Sequence, residues 1–165
     1  MKIGTRSLLF GVHQFIWHPI TVIAAWIKLY GKPSFEEVFC IFVHDFGYWN
    51  KNDMNGAEGV LHPIRGANIA LKMFGRKQYE LCLYHSRSYA NLSWAIPSKL
   101  CWADKLSILY DPCWFYLLRA RLSGELKEYR LEAATNGFVP LSASDKEWFC
   151  WLRDFMSKIK VISNR

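Results

Sequence analysis

Six side chains of this 165-residue sequence make up a candidate metal-ligand set: His18, His44, Asp45, His62, His85 and Asp104. His44 and Asp45 are adjacent and follow the apolar run Val38 to Val43. A charge at the end of a buried helix is costly unless something pairs with it. Two neighbouring metal-binding side chains at that place point to a cation. The bland alternative is a ring N–H bonded to a carboxylate that caps a helix end. The wider set has nitrogen and oxygen donors and no thiolate. Such a set suits a divalent transition metal, Mn, Fe, Co, Ni or Zn, better than a Cys-rich structural zinc site does.

The elements that would carry these residues are helical. His18-Pro19 and His62-Pro63 each place a His just before a predicted helix, with Pro at its first position, where the missing N–H leaves nothing unsatisfied. The first of these helices carries Val22, Ala25, Trp26 and Leu29 at helical spacing and stops at Gly31. Ser34 caps the next, with Glu36 and Glu37 in its first turn. Its apolar run covers nearly every face, so it is expected at the centre, and it delivers His44 and Asp45. The predicted helix Lys77 to His85 ends on His85. Ser98 caps Lys99 to Tyr110, and Asp104 lies inside it among Leu100, Trp102, Ala103 and Leu106. Lys105 is a poor partner for Asp104, because adjacent helical positions diverge. A buried cation explains that aspartate better. Elsewhere the reading is a short helix or turn over Ser7 to Trp17, a loop over Lys51 to Gly59 and another over Tyr89 to Pro97. One long helix from Cys113 to Arg130 keeps Arg119, Arg121, Lys127 and Arg130 on its wet side. A last helix covers Lys146 to Ile159, with a fraying tail. No strand pattern competes, so the fold class is all-α.

The order His18, His44-Asp45, Asp104 resembles that of the HD-domain superfamily of metal-dependent phosphohydrolases, over about Gly11 to Pro112. The resemblance implies an HD-domain-like helical bundle. It also implies a first metal site of His18, His44, Asp45 and Asp104. His62 and His85 look like the subset that binds two metals, with Asp45 bridging the ions. A second ion held by Asp45, His62 and His85 is preferred here to the alternative in which the two imidazoles donate to substrate phosphate around one ion. Two ions about 3.5–4 Å apart share and acidify a water. The implied function is hydrolysis of a nucleotide-like phosphate ester or anhydride by metal-activated hydroxide, with a nucleotide or dinucleoside polyphosphate as substrate. A cyclic-nucleotide phosphodiesterase and a non-catalytic metal- and nucleotide-binding module are the alternatives. One branch of the superfamily reads His-Asp-x-Gly-Lys. Here Tyr48 stands in place of that Lys, so a phenol replaces a phosphate-binding charge.

Cations near the ligand blocks are candidates to orient phosphate. Arg87, two residues after His85, and Lys105, beside Asp104, are assigned catalytic roles along with Asp45. Tyr48, Lys51, Glu58, Arg65 and Tyr89 are assigned to substrate binding. Tyr48, Trp49, Tyr89 and Trp94 are candidates to stack on a base, and Asp53 or Glu58 to meet a sugar or a water. His13 is left outside the metal set.

Composition bounds the rest. Residues 1–165 are read as a single domain, with a catalytic core of about 11–112 and a helical extension over 113–165. A chain of this length buries about 70% of its unfolded surface without staples. The net charge of +7 favours anionic partners. Its cations are scattered, which points to a small anionic, nucleotide-like substrate ahead of nucleic acid. RNA binding would show as strong salt dependence. Five Cys without a CxxC read as reduced, buried thiols of a cytoplasmic protein. No apolar stretch is long enough for a membrane span, and that of Met1 to Val12 is too short for a signal peptide. A homo-oligomer is compatible with all of this.

Overall fold

A computed structural model describes residues 1–159. Among these are ten α-helices and no strand: α1 (Ile3–Phe10), α2 (Trp17–Tyr30), α3 (Phe35–Val43), α4 (Pro63–Phe74), α5 (Arg76–Leu83), α6 (Arg87–Leu92), α7 (Lys99–Leu106), α8 (Cys113–Ser123), α9 (Glu125–Thr135) and α10 (Asp145–Ser157). Tight 3-10 turns cover Phe46–Tyr48, Gly59–Leu61 and Ser107–Tyr110. The fold is an all-α helical bundle, and among the described residues no helix is long and apolar enough to cross a membrane.

Two apolar cores organise it. The first joins Val22, Ala25 and Trp26 of α2, Cys40, Ile41 and Val43 of α3, Ala67 and Ala70 of α4, Cys82 and Leu83 of α5, and Leu100, Ala103 and Leu106 of α7. The second joins Tyr116, Leu117 and Ala120 of α8, Leu126 and Ala133 of α9, and Trp148 and Phe149 of α10. Leu109 and Met156 pack against both. Small residues on α4 let it lie close to α3: a Cβ at Gly66 would come within 2.4 Å of the Val43 carbonyl oxygen.

Several boundaries differ from the sequence reading. The first helix covers residues 3–10 rather than 7–17, because Gly11 ends it by returning its N–H to the carbonyls of Arg6 and Ser7. Helix α2 starts at Trp17, so His18 lies in its first turn rather than before it. Residues 87–92 form α6, which takes in the start of the loop expected over Tyr89 to Pro97 and which Ser86 caps by accepting from the Tyr89 N–H. The long helix expected from Cys113 to Arg130 is two helices. Gly124, at φ 91°, sits in the left-handed region between α8 and α9, where a side chain is disfavoured. Arg119 is buried rather than wet: it pairs with Asp111 and donates to the Gly11 and Val12 carbonyls. Helix α3 is less central than its composition suggests, since Phe35 and Phe42 are exposed. Of the cysteines, Cys40, Cys82 and Cys101 are buried, but Cys150 is exposed. Helix α10 ends at Ser157, and the expected fraying of the tail beyond Ile159 falls outside the described residues.

Candidate metal centre

Each of the six predicted ligands is delivered by a helix or its edge. His18 comes from the first turn of α2 and His44 from the C-terminal cap of α3, with Asp45 next to it. His62 caps the N-terminus of α4, and Pro63 takes the first helical position. His85 lies two residues past the end of α5, and Asp104 lies within α7. His18, His44, Asp45, His62 and His85 are all buried.

Their donor atoms converge in two groups that share Asp45, and both groups can hold a metal ion. In each group the ligand atoms lie within 4.8 Å of one another. In the first, His18 Nε2 is 3.0 Å from Asp104 Oδ1 and 3.3 Å from Asp45 Oδ2. His44 Nε2 is 3.1 Å from Asp45 Oδ2 and 3.9 Å from Asp104 Oδ1. In the second, Asp45 Oδ1 lies 3.3 Å from His85 Nε2 and 3.6 Å from His62 Nε2. Asp45 thus turns one oxygen to each group.

The other ring nitrogen fixes the tautomer of three of these imidazoles. His44 Nδ1 lies 2.7 Å from the Ile41 carbonyl, His62 Nδ1 2.7 Å from that of Gly59, and His85 Nδ1 2.5 Å from that of Cys82. A carbonyl only accepts, so each Nδ1 carries the proton and each neutral ring presents a lone pair at Nε2. The consequence is sharpest at His62 and His85, whose Nε2 atoms are 2.9 Å apart. Asp45 Oδ1 faces both of these nitrogens. Ion-pair distance is also not hydrogen-bond alignment. His18 Nε2, His44 Nε2 and Asp45 Oδ2 are buried and have no aligned hydrogen-bond partner among the described residues. Buried polar atoms that converge without aligned partners are a place that a metal ion could fill. The donor set and its backbone supports fit a divalent transition metal.

In the metal-free protein, protons take that cation's place. Burial lowers the pKa of His18, but the carboxylates of Asp104 and Asp45 beside its ring outweigh it and raise the value to about 9. For His44 the same opposition, led on the raising side by the charge of Asp45, ends at about 10. Burial pushes Asp45 and Asp104 up, yet the imidazoles around them hold both well below the usual carboxylate value. His62 goes the other way, to about 3, through burial and the neighbouring His85.

The centre opens into a cavity of about 510 Å³. His18, Asp45, His62, His85 and Asp104 line it, and so do Arg87, Lys105, Tyr48 and His13. Arg87 and Lys105 are therefore placed where the sequence reading puts them. Tyr48 is placed there too, buried, with its ring stacked on His62 at 4.0 Å and 10°. The remaining substrate-binding candidates go elsewhere. Lys51 and Arg65 line a separate surface groove with Trp49 and Lys72. Glu58 accepts from the Asn52 backbone and side chain and so braces its own loop. Asp53 does likewise for the Gly59 N–H. Tyr89 packs against the first apolar core, and Trp94 is almost wholly exposed.

Sequence reasoning missed Glu125. It is fully buried and accepts from Ser7 Oγ at 2.7 Å, the Val12 N–H at 2.9 Å, Tyr129 OH at 3.0 Å and Ser123 Oγ at 2.5 Å. Its Oε1 also lies 3.0 Å from His13 Nδ1. The His13 ring is 4.9 Å from Tyr48 and 5.4 Å from His18, so Glu125 supports the cavity wall beside the first group. The Ser123-Gly124-Glu125 sequence was the available signal, a helix stop followed by an acid in a first turn. No family model matches the chain, and neither does any curated protein or solved structure.

Proposed function

We propose that the protein is a metal-dependent phosphohydrolase of HD type that acts on a small, anionic, nucleotide-like phosphate ester or anhydride. The observation that carries this reading is the convergence of buried Nε2 lone pairs on both oxygens of Asp45, an arrangement that calls for cations at two adjacent points. A divalent metal there supplies Lewis acidity and activates water at neutral pH. The chain's own residues do the rest. Asp45 aligns the two groups, and backbone carbonyls lock the rings of His44, His62 and His85. Arg87 and Lys105, on the cavity wall, offer positive charge to the phosphate oxygens. The order of these residues along the chain resembles that of the HD superfamily, which supports the hydrolytic assignment.

Elemental analysis of the purified full chain, with phosphate release from a nucleotide panel in added Mn, Co or Ni, tests this. Bound divalent metal and turnover are expected, and Asp45→Ala should remove both. Metal retained by the wild type with no release from any nucleotide would overturn catalysis and leave a binding module. Failure of the wild type to take up metal would overturn the whole reading.

A further inference from the structure

The cavity over the metal centre has a second, chemically different wall. Phe138, from the α9–α10 connection, and Trp151 and Phe155, from α10, line it. Their rings form one cluster, in which Phe138 and Phe155 lie 5.8 Å apart and are tilted by 39°. Trp151 lies 5.5 Å from Phe138 and 5.5 Å from Phe155, each at an interplanar angle of 23°. Phe138 is 52% exposed and Phe155 39%, while Trp151 stacks on both and also packs against the second apolar core. Large apolar faces exposed on a concave wall mark a binding surface. On the same cavity, Arg87 and Lys105 flank the ligands His85 and Asp104 in sequence and bring positive charge to that end. Asn136, also on the wall, offers both a donor and an acceptor. The volume is in the range that encloses a small organic molecule, roughly 300–1,000 Å³.

We propose that Phe138, Trp151 and Phe155 form a ring-binding subsite, so that the substrate of the metal centre is a phosphate carrying a planar aromatic group. The inference rests on the hydrolase reading for the word substrate, and on the cavity alone for the subsite. A planar ring stacked on this wall puts its phosphate toward the cationic end. Specificity is then set by the C-terminal helices, outside the segment that carries the metal ligands. None of the aromatic residues named from sequence as base-stacking candidates supplies this wall; Tyr48 lines the same cavity, but its ring is already stacked on His62.

The test uses the metal-loaded full chain. Kinetics compare AMP and phenyl phosphate with ribose 5-phosphate and methyl phosphate, and calorimetry measures binding of AMP and ribose 5-phosphate without reference to turnover. Stacking on an aromatic side chain should favour the ring-bearing member of each pair by about tenfold, chiefly in KM. Phe155→Ala and Phe138→Ala, both partly exposed positions, should bring that ratio toward one, and Phe155→Trp should restore it. A preference for AMP over phenyl phosphate identifies the ring as a nucleobase, and equal preference identifies it as any aryl group. Ring-dependent binding without turnover of any phosphate would sink the hydrolase reading and leave the subsite standing. Turnover or binding indifferent to the ring, or a ratio untouched by both alanine variants, overturns the subsite. So does an absence of ring-dependent binding in a protein that hydrolyses nothing.

Discussion

At the scale of single residues, the three best-defined imbalances are His18 and His44, held up at about 9 and about 10, and His62, held down at about 3. A raised His pKa contributes stability that is fully present below the unfolded value of about 6.5 and lost as pH climbs through the folded value. His62 has the opposite sign: its neutral folded form is favoured above pH 6.5, and that stability is lost as pH falls toward 3. Asp45 and Asp104, held low, add a further acid limb that begins below their ordinary value of 3.8. Metal-free protein should therefore be most stable near pH 6.5 as far as these groups decide, and its Tm should fall between pH 7 and 10. A metal ion needs the rings neutral, so binding releases the protons of His18 and His44. Metal-loaded protein should lose that alkaline limb, and the Tm gain on loading should grow from pH 7 to 10. A loss of about 1 kcal/mol corresponds to about 2–4 °C of Tm in a protein of this size. Thermal melts across pH, with and without chelator, check this, and parallel curves would contradict it. All six ligands were legible in the sequence because each is a polar residue at the edge of an apolar helix or inside one. Glu125 was not, since its partners Ser7 and His13 lie 118 and 112 residues away.

At the scale of elements, the second ligand group depends on how closely the turn after α3 passes the start of α4. Gly47 makes that approach possible. A Cβ there would sit 1.8 Å from the His62 carbonyl oxygen and 2.8 Å from its Cα, and neither is a flexible side-chain end. Gly47→Ala must therefore move the His62 backbone, and overpacking of this kind costs about 1–3 kcal/mol. The expected result is a lower Tm and loss of metal at Asp45, His62 and His85. The three atoms nearest that Cβ all belong to His62, so the first group should keep its ion. If the proposed two-ion centre is right, elemental analysis should read one ion in the variant against two in the wild type. An unchanged stoichiometry would show that the turn relaxes without disturbing His62. The same elements show what a sequence reveals about boundaries. The starts of α3 and α4 were clear because Ser34 with Glu37, and Pro63 after His62, act within one turn. The division between α8 and α9 was obscured because the apolar and basic pattern runs on across it, although Gly124 marks the break locally. Burial of Arg119 depends on Asp111 and on two carbonyls of the segment before α2, and no local pattern encodes that.

At the scale of the whole molecule, the segment carrying the ligands and the C-terminal helices are tied together by polar contacts as well as by the junction at Leu109 and Met156. Glu125 is the chief tie, joining the start of α9 to α1 and to the segment Val12–His13 that leads into α2. Arg119 and Asp111 form a second tie to the same segment, and Trp17 Nε1 donates to Asp111 at 3.2 Å. Removal of a buried carboxylate that satisfies several donors leaves those donors orphaned in a low-dielectric interior, which costs more than the net value of any one bond. Glu125→Ala should therefore destabilise the fold by about 3–5 kcal/mol, a Tm loss of about 6–20 °C. No metal ligand is removed by this change, so at a temperature where the variant is folded its metal content should match the wild type. Ring-dependent binding should weaken, because the wall built by α9 and α10 is no longer held against the segment that leads to His18. Melts, metal analysis and AMP calorimetry on one sample separate these effects. Loss of metal in folded Glu125→Ala protein would mean that the C-terminal helices position the ions as well as the cavity wall.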